Sequence, residues 1–171
     1  MDTYAALLTR RSVRTYAHKP VEAETLIQVV GAAMHAPSAR DNRPWEFIVI
    51  TDRQLLDTLS LVRPYWIMLK NAPAAIVVLR NVVHYTSPTV AFSVQDCAAA
   101  TENLLLAARD AGLGGVWLGL HPLEAEQTKV REILNIPDNI SPFAVVALGY
   151  PAVQYVQQNR FDPSKLHWQH Y

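Results

Sequence analysis

The stretch that most limits what this chain can fold into runs from about Val90 to Ala111. It is packed with alanines and carries Leu104, Leu105 and Leu106, a pattern that predicts a long helix. Its small residues permit another helix to approach closely. Gly112 supplies a left-handed stop, and Gly114 and Gly115 lead into Val116-Trp117-Leu118, a short strand ended by Gly119. Any fold for this chain must place a long, small-faced helix against a sheet whose strands are short and few.

The rest of the pattern fits around that pair. Tyr4, Leu7 and Leu8 mark a first helix, Val13 to Tyr16 reads as extended, and Pro20 with Glu22 and Glu24 opens a second helix. Its buried stripe is expected at Leu26, Ile27, Val30, Ala33 and Met34. His35 to Pro44 is a loop rich in proline and Asx residues, feeding a strand at Trp45 to Ile50. Asp52 is an N-cap for a short helix carrying Leu55, Leu56 and Leu59. Arg63 to Pro73 is either a packed connector or a mobile flap. Ala75 to Leu79 is a buried strand, Asn81 to Thr89 a loop. Pro122 starts a helix with Val130, Ile133 and Leu134 inward, and Phe143 to Leu148 is a last core strand halted by Gly149 and Pro151. From Ala152 the tail is polar with isolated aromatics and one notable cation, Arg160. No repeat or linker divides the chain, so residues 1–171 are expected to form one domain. No glycine-rich fingerprint follows the first strand, which disfavours a doubly wound nucleotide fold.

Lys+Arg 15 against Asp+Glu 15 leaves a net charge of +0, which argues against a general nucleic-acid or anionic-membrane surface. Against that balance, Arg10-Arg11-Ser12-Val13-Arg14 is a local device. Three planar guanidinium forks and a hydroxyl suit phosphate oxygens, although basic residues after an apolar helix also simply complement its dipole. Gly112-Leu113-Gly114-Gly115 lacks the lysine of a Walker loop; it is a close-packing turn or a place where backbone N–H groups meet a flat ligand. Trp117 reads as core or wall. The six histidines show no metal-ligand spacing, and no metal is expected. Cys97, the only cysteine, excludes an intrachain disulfide and reads as a small buried hydrophobe in a reducing, cytoplasmic setting. Neither a signal peptide nor a membrane span is expected.

With those residues laid out, the chain resembles the nitroreductase family of FMN-dependent oxidoreductases, in its short members. The resemblance rests on Arg10 to Arg14, on Ala36-Pro37-Ser38-Ala39 through Pro44-Trp45-Glu46-Phe47, on Gln95 to Ala108 followed by Gly112 to Gly119, and on Ala147 to Pro151 with Arg160-Phe161-Asp162. It implies an α+β fold with a central, mostly antiparallel sheet flanked by helices. It also implies a homodimer whose C-terminal tail is exchanged across the partner, with FMN between the subunits. By the same resemblance, Arg10, Arg11, Ser12 and Arg14 bind the phosphate and reach toward the ring, and Arg160 closes on the phosphate. Pro37, Ser38 and Ala39 run along the isoalloxazine from the other subunit. Gly115, Val116, Trp117, Leu118 and Gly119 border the flavin, with a main-chain N–H near Gly119 at N5 and no side-chain acid or base. Asp41 and Arg43 stand where the family usually has Asn and Gln, and are left out of the site. The implied activity is ping-pong hydride transfer from NADH or NADPH to a nitroaromatic, quinone or related acceptor. A non-turnover flavin carrier or flavin-breakdown participant on the same fold, or a binder of another phosphorylated metabolite, are the alternatives.

Overall fold

The computed structural model describes residues 1–86 and 89–171. Ser87 and Pro88, within the loop expected over 81–89, lie outside the described residues. In chain order the regular elements are α1 (Thr3–Thr9), α2 (Ala23–Ala33), β1 (Trp45–Ile50), α3 (Arg53–Ser60), β2 (Ala74–Asn81), α4 (Thr89–Asp110), β3 (Gly114–Gly119), α5 (Glu124–Leu134) and β4 (Ile140–Gly149). Single-stretch 3-10 turns lie at Ala39–Asp41, Pro64–Lys70 and Pro163–Lys165. The strands form one sheet in the order β1-β2-β4-β3, and every neighbouring pair is antiparallel. This is the α+β class with the antiparallel sheet that the resemblance implies.

The period-2 alternation of strand side chains splits the core into two layers. Ala75, Val77 and Leu79 of β2, with Val145 and Ala147 of β4, face Leu56 and Leu59 of α3, Trp66 and Leu69 of the Pro64–Lys70 turn, and Val130 of α5. On the other face Ile76, Val78, Val146 and Leu148 meet Leu26, Val29 and Ala33 of α2 and Cys97, Ala100, Leu104 and Ala108 of α4. The two central strands are therefore buried on both sides, which is why β2 reads as an unbroken apolar run. Each fully buried Val, Leu or Ile here contributes about 1.5–3 kcal/mol. Burial pushes the Cys97 thiol up to about 12, so it packs as a neutral small residue.

Several local signals act as expected. Asp52 accepts a hydrogen bond from the Leu55 N–H at 2.8 Å and caps α3, and Gly112 sits at φ 76°, the left-handed stop after α4. One expectation about a face needs correction. In α2 the buried stripe is Leu26, Val29 and Ala33, whereas Ile27 and Met34 are exposed. Leu26, Val29 and Ala33 recur at i, i+3, i+7 spacing and so do Ile27, Val30 and Met34, so periodicity alone does not choose between adjacent apolar faces. In α1 only Ala6 is buried, and Tyr4, Leu7 and Leu8 are exposed on the single chain. The two readings of Arg63 to Pro73 resolve in favour of the packed connector, with Trp66, Met68 and Leu69 buried. No described helix is long and apolar enough to cross a membrane.

Candidate functional site

β3 is the last strand of the sheet, and what happens along its outer edge builds the site. The segment after α1 runs beside it as a strap. Ser12 bridges Gly115 in parallel, with the Val13 N–H donating to the Gly115 carbonyl at 3.0 Å. Tyr16 bridges Pro151, and its buried hydroxyl donates toward the carbonyls of Val13 (2.7 Å) and Ala147 (3.2 Å). Desolvation of that phenol raises its pKa. The strap fits closely: a Cβ on Gly114 would lie 2.6 Å from Val13 Cβ, so glycine is required there.

Strand parity then fixes where the remaining backbone groups point. Gly115 turns its carbonyl outward to Val13, and Leu120 turns its N–H inward to Phe143. N–H and C=O of a strand residue share a side and alternate along the chain. In the β3–β4 register, Trp117 and Gly119 thus share the outward side with Gly115, beyond the point where the strap ends. Added bulk at Gly119 would meet nothing within 4 Å, so this stretch of edge is open.

Two clefts lie on either side of the Ser12–Gly115 bridge. The first, about 490 Å³, is lined by Arg10, Arg11, Arg109, Gly114 and Gly115, with Pro151 to Tyr155 of the tail as its other wall. The Arg10 guanidinium Nε is 3.1 Å from a Glu102 carboxylate oxygen, Arg11 donates to the Val156 carbonyl at 3.1 Å, and Arg109 donates to the Thr9 hydroxyl at 3.0 Å. Each of these contacts uses part of a five-donor fork, so donors remain for an anion. The second cleft, about 530 Å³, is lined by Arg14, Tyr65, Trp66, Ile67 and Met68, and by Val116 to Gly119. Arg14 is exposed, and among the described residues its guanidinium makes one long contact, 3.5 Å to the Ser12 carbonyl. Ser12, also exposed, sits between the two.

Within the chain, then, the structure brings together Arg10, Arg11, Ser12, Arg14 and Gly115 to Gly119. Pro37, Ser38 and Ala39 are elsewhere: the Ala39 N–H donates to the Asp96 carboxylate at 3.1 Å, and Asp96 and Arg109 are roughly 20 Å apart along α4 at about 1.5 Å per residue. The loop after them carries positive φ at Arg40, Asp41 and Arg43. Ser38 Oγ accepts from the Arg43 N–H at 3.0 Å, and the Tyr85 hydroxyl donates to the Asn42 carbonyl. Arg43 grips Asp41 with two bonds of 2.8 and 2.6 Å, holding that carboxyl below its usual range. The two charges at 41 and 43 therefore neutralise each other. Arg160 is exposed, in a tail whose residues are all exposed from Ala152 onward.

The model of the nitroreductase family matches residues 7–63 and 60–150. The chain belongs to the nitroreductase family. A nitroreductase relative from Methanothermobacter thermautotrophicus, provisionally named an NADH dehydrogenase/NAD(P)H nitroreductase, is 43% identical over 98% of this chain and 86% of its own length. A solved structure with the same provisional name, from Parabacteroides distasonis, is 40% identical and superposes with a TM-score of 0.92 over 99% of this chain and 98% of that one. An FMN-dependent nitroreductase from Clostridium difficile, 30% identical, superposes at 0.90 over 98% and 99%. Among the residues that line the clefts, Arg109, Ile67 and Tyr155 are not singled out as site residues of this nitroreductase by the sequence: Arg109 draws no reading there, Ile67 lies inside an ambiguous connector, and Tyr155 is one of the isolated aromatics of the tail. No local pattern marks residues that meet only through the fold.

Proposed function

We propose that this chain is an FMN-dependent oxidoreductase that carries hydride from NADH or NADPH to a small aromatic acceptor, a nitroaromatic or a quinone. The observation that carries the reading is the pairing of an arginine-rich cleft with an aromatic-walled one across a single strap. A flavin mononucleotide has the same two-part chemistry, an anionic end joined to a flat ring. The donor set fits it: Arg10 and Arg11 line the cleft for the phosphate end, Ser12 lies exposed between the two clefts, and Arg14 with the outward N–H groups of Trp117 and Gly119 lies at the ring end. Family membership and the FMN-dependent relative support the same cofactor.

Bound FMN supplies two-electron hydride exchange, oxidising NAD(P)H in one half-reaction and reducing the acceptor in the other, in ping-pong order. The residues of this chain bind and polarise. Arginines stay charged at any physiological pH, so they hold a phosphate without a proton changing place. Arg14 puts positive charge at the ring cleft, where it favours an anionic reduced ligand, and an outward backbone N–H near Gly119 is a fixed donor that needs no reorganisation. The β3 edge and the turn that carries Tyr65 form two walls of that cleft. We place Pro37, Ser38 and Ala39, too far along α4 to join the clefts of their own chain, at the site of a second copy, with Arg160 reaching the phosphate from the exchanged tail. A homodimer in a cytoplasmic setting, each subunit one domain, completes the proposal.

The test is the visible spectrum of the purified protein, followed by steady-state oxidation of NADH and NADPH with menadione or nitrofurazone. Flavin absorbance with turnover is expected. Flavin without turnover would leave only a carrier, and a colourless protein that gains nothing from added FMN would overturn the cofactor.

A further inference from the structure

The second cleft has a wall that the cofactor donors do not use. The 3-10 turn at Pro64–Lys70 is held rigidly from behind: Trp66, Met68 and Leu69 are buried at 2%, 7% and 0% exposure. Arg53 donates to the carbonyls of Leu69 and Ala72, the latter at 2.9 Å, and the Trp66 N–H donates to Arg63 at 3.0 Å. From this fixed base the two intervening residues point the other way, Tyr65 at 77% and Ile67 at 56% exposure, and both line the cleft with Arg14 and Trp117. Large apolar side chains on a rigid support, open to water beside a cationic group and free strand donors, are what a planar ligand is recognised by. Tyrosine freezes few torsions on binding and offers a flat face, so little entropy opposes the contact.

We infer that Tyr65 and Ile67 are the acceptor-discriminating residues of this site, selecting planar aromatic oxidants over small hydrophilic ones. The inference rests on the flavin-dependent reading above and adds to it the residues that set the acceptor class. Neither residue is needed to hold the fold, since the buried members of the same turn do that. Neither belongs to the cationic cleft.

The experiment uses the full-length, flavin-loaded protein as wild type, Tyr65→Ala, Tyr65→Phe and Ile67→Ala. Three quantities are read: flavin content by absorbance, Kd of menadione for the oxidised protein with no donor present, by calorimetry, and the ratio of kcat/KM for menadione to that for ferricyanide. Losing one aromatic wall is expected to raise the menadione Kd about tenfold and lower the ratio by a similar factor. Tyr65→Phe should restore both, and Ile67→Ala should fall between. Full flavin content with an unchanged Kd and ratio in Tyr65→Ala would overturn the inference while leaving the flavin enzyme standing. Equal losses with both acceptors would also overturn it, by showing a structural role. A wild-type protein without flavin would sink the functional reading itself, and this inference with it.

Discussion

Between the end of α1 and the start of the tail, the first cleft is lined by Arg10, Arg11 and Arg109; across the strap, its neighbour is lined by Tyr65, Trp66 and Trp117. They share β3 as a common wall, yet one presents guanidinium forks and the other aromatic faces. The reason lies in what backs each wall. The aromatic cleft leans on the turn that plugs the α3–α5 face of the sheet, so apolar side chains are plentiful there. The cationic cleft lies at the ends of α1 and α4, where helix C-termini favour positive charge. A single ligand spanning both must be anionic at one end and flat at the other.

The largest expected effect strikes one side of that contrast alone. Arg10→Ala with Arg11→Ala should weaken FMN binding by at least about 100-fold, because hydrogen bonds to charged groups contribute about 1.5–3 kcal/mol each. Riboflavin, which lacks the phosphate, should bind the variant about as well as wild type in a fluorescence titration. Equal losses for both ligands would break the assignment of the two ends. Arg14→Ala sharpens it from the other side: this residue lies in the aromatic cleft, so FMN and riboflavin should both weaken, by about tenfold. A preference for riboflavin in that variant would put Arg14 at the phosphate instead.

Third in size is the shared wall. Gly114→Ala pushes a methyl into Val13, and overpacking of that kind costs about 1–3 kcal/mol. The urea midpoint should drop and flavin should be lost together with it, since the strap carries Ser12 and Arg14. A variant as stable as wild type would mean the strap is free to move. Smallest is the distant loop. Asp41→Asn with Arg43→Gln removes a pair that is exposed on both sides, and should shift the thermal midpoint by no more than about 2 °C. Because Arg43 depresses the Asp41 pKa, the pair is complete above that lowered value and lost only as pH falls through it. The difference between wild type and Asp41→Asn should therefore be constant between pH 6 and 8 in a thermal series.

What the residues disclose unaided depends on how far a signal has to travel. The Trp45 to Ile50 strand, the Asp52 cap and the Gly112 stop are set by neighbours a few positions away, and each is where the local chemistry places it. The α2 stripe is right at Leu26 and Ala33 but wrong at Ile27 and Met34, because Leu26-Val29-Ala33 and Ile27-Val30-Met34 are equally periodic and only the sheet decides between them. Arg10 to Arg14 is visible as a cluster, but its division between two clefts follows from the Ser12–Gly115 bridge, a contact across most of the chain. The outward N–H groups of Trp117 and Gly119 depend on register with β4, which no residue type encodes.

The most direct measurement is a paired equilibrium titration of the purified, flavin-stripped protein with FMN and with riboflavin. One FMN per chain, bound at least about 100-fold more tightly than riboflavin, is the expected result. Equal affinity for the two, or no binding of either, would contradict a cofactor held with its phosphate among the arginines and its ring beside Trp117.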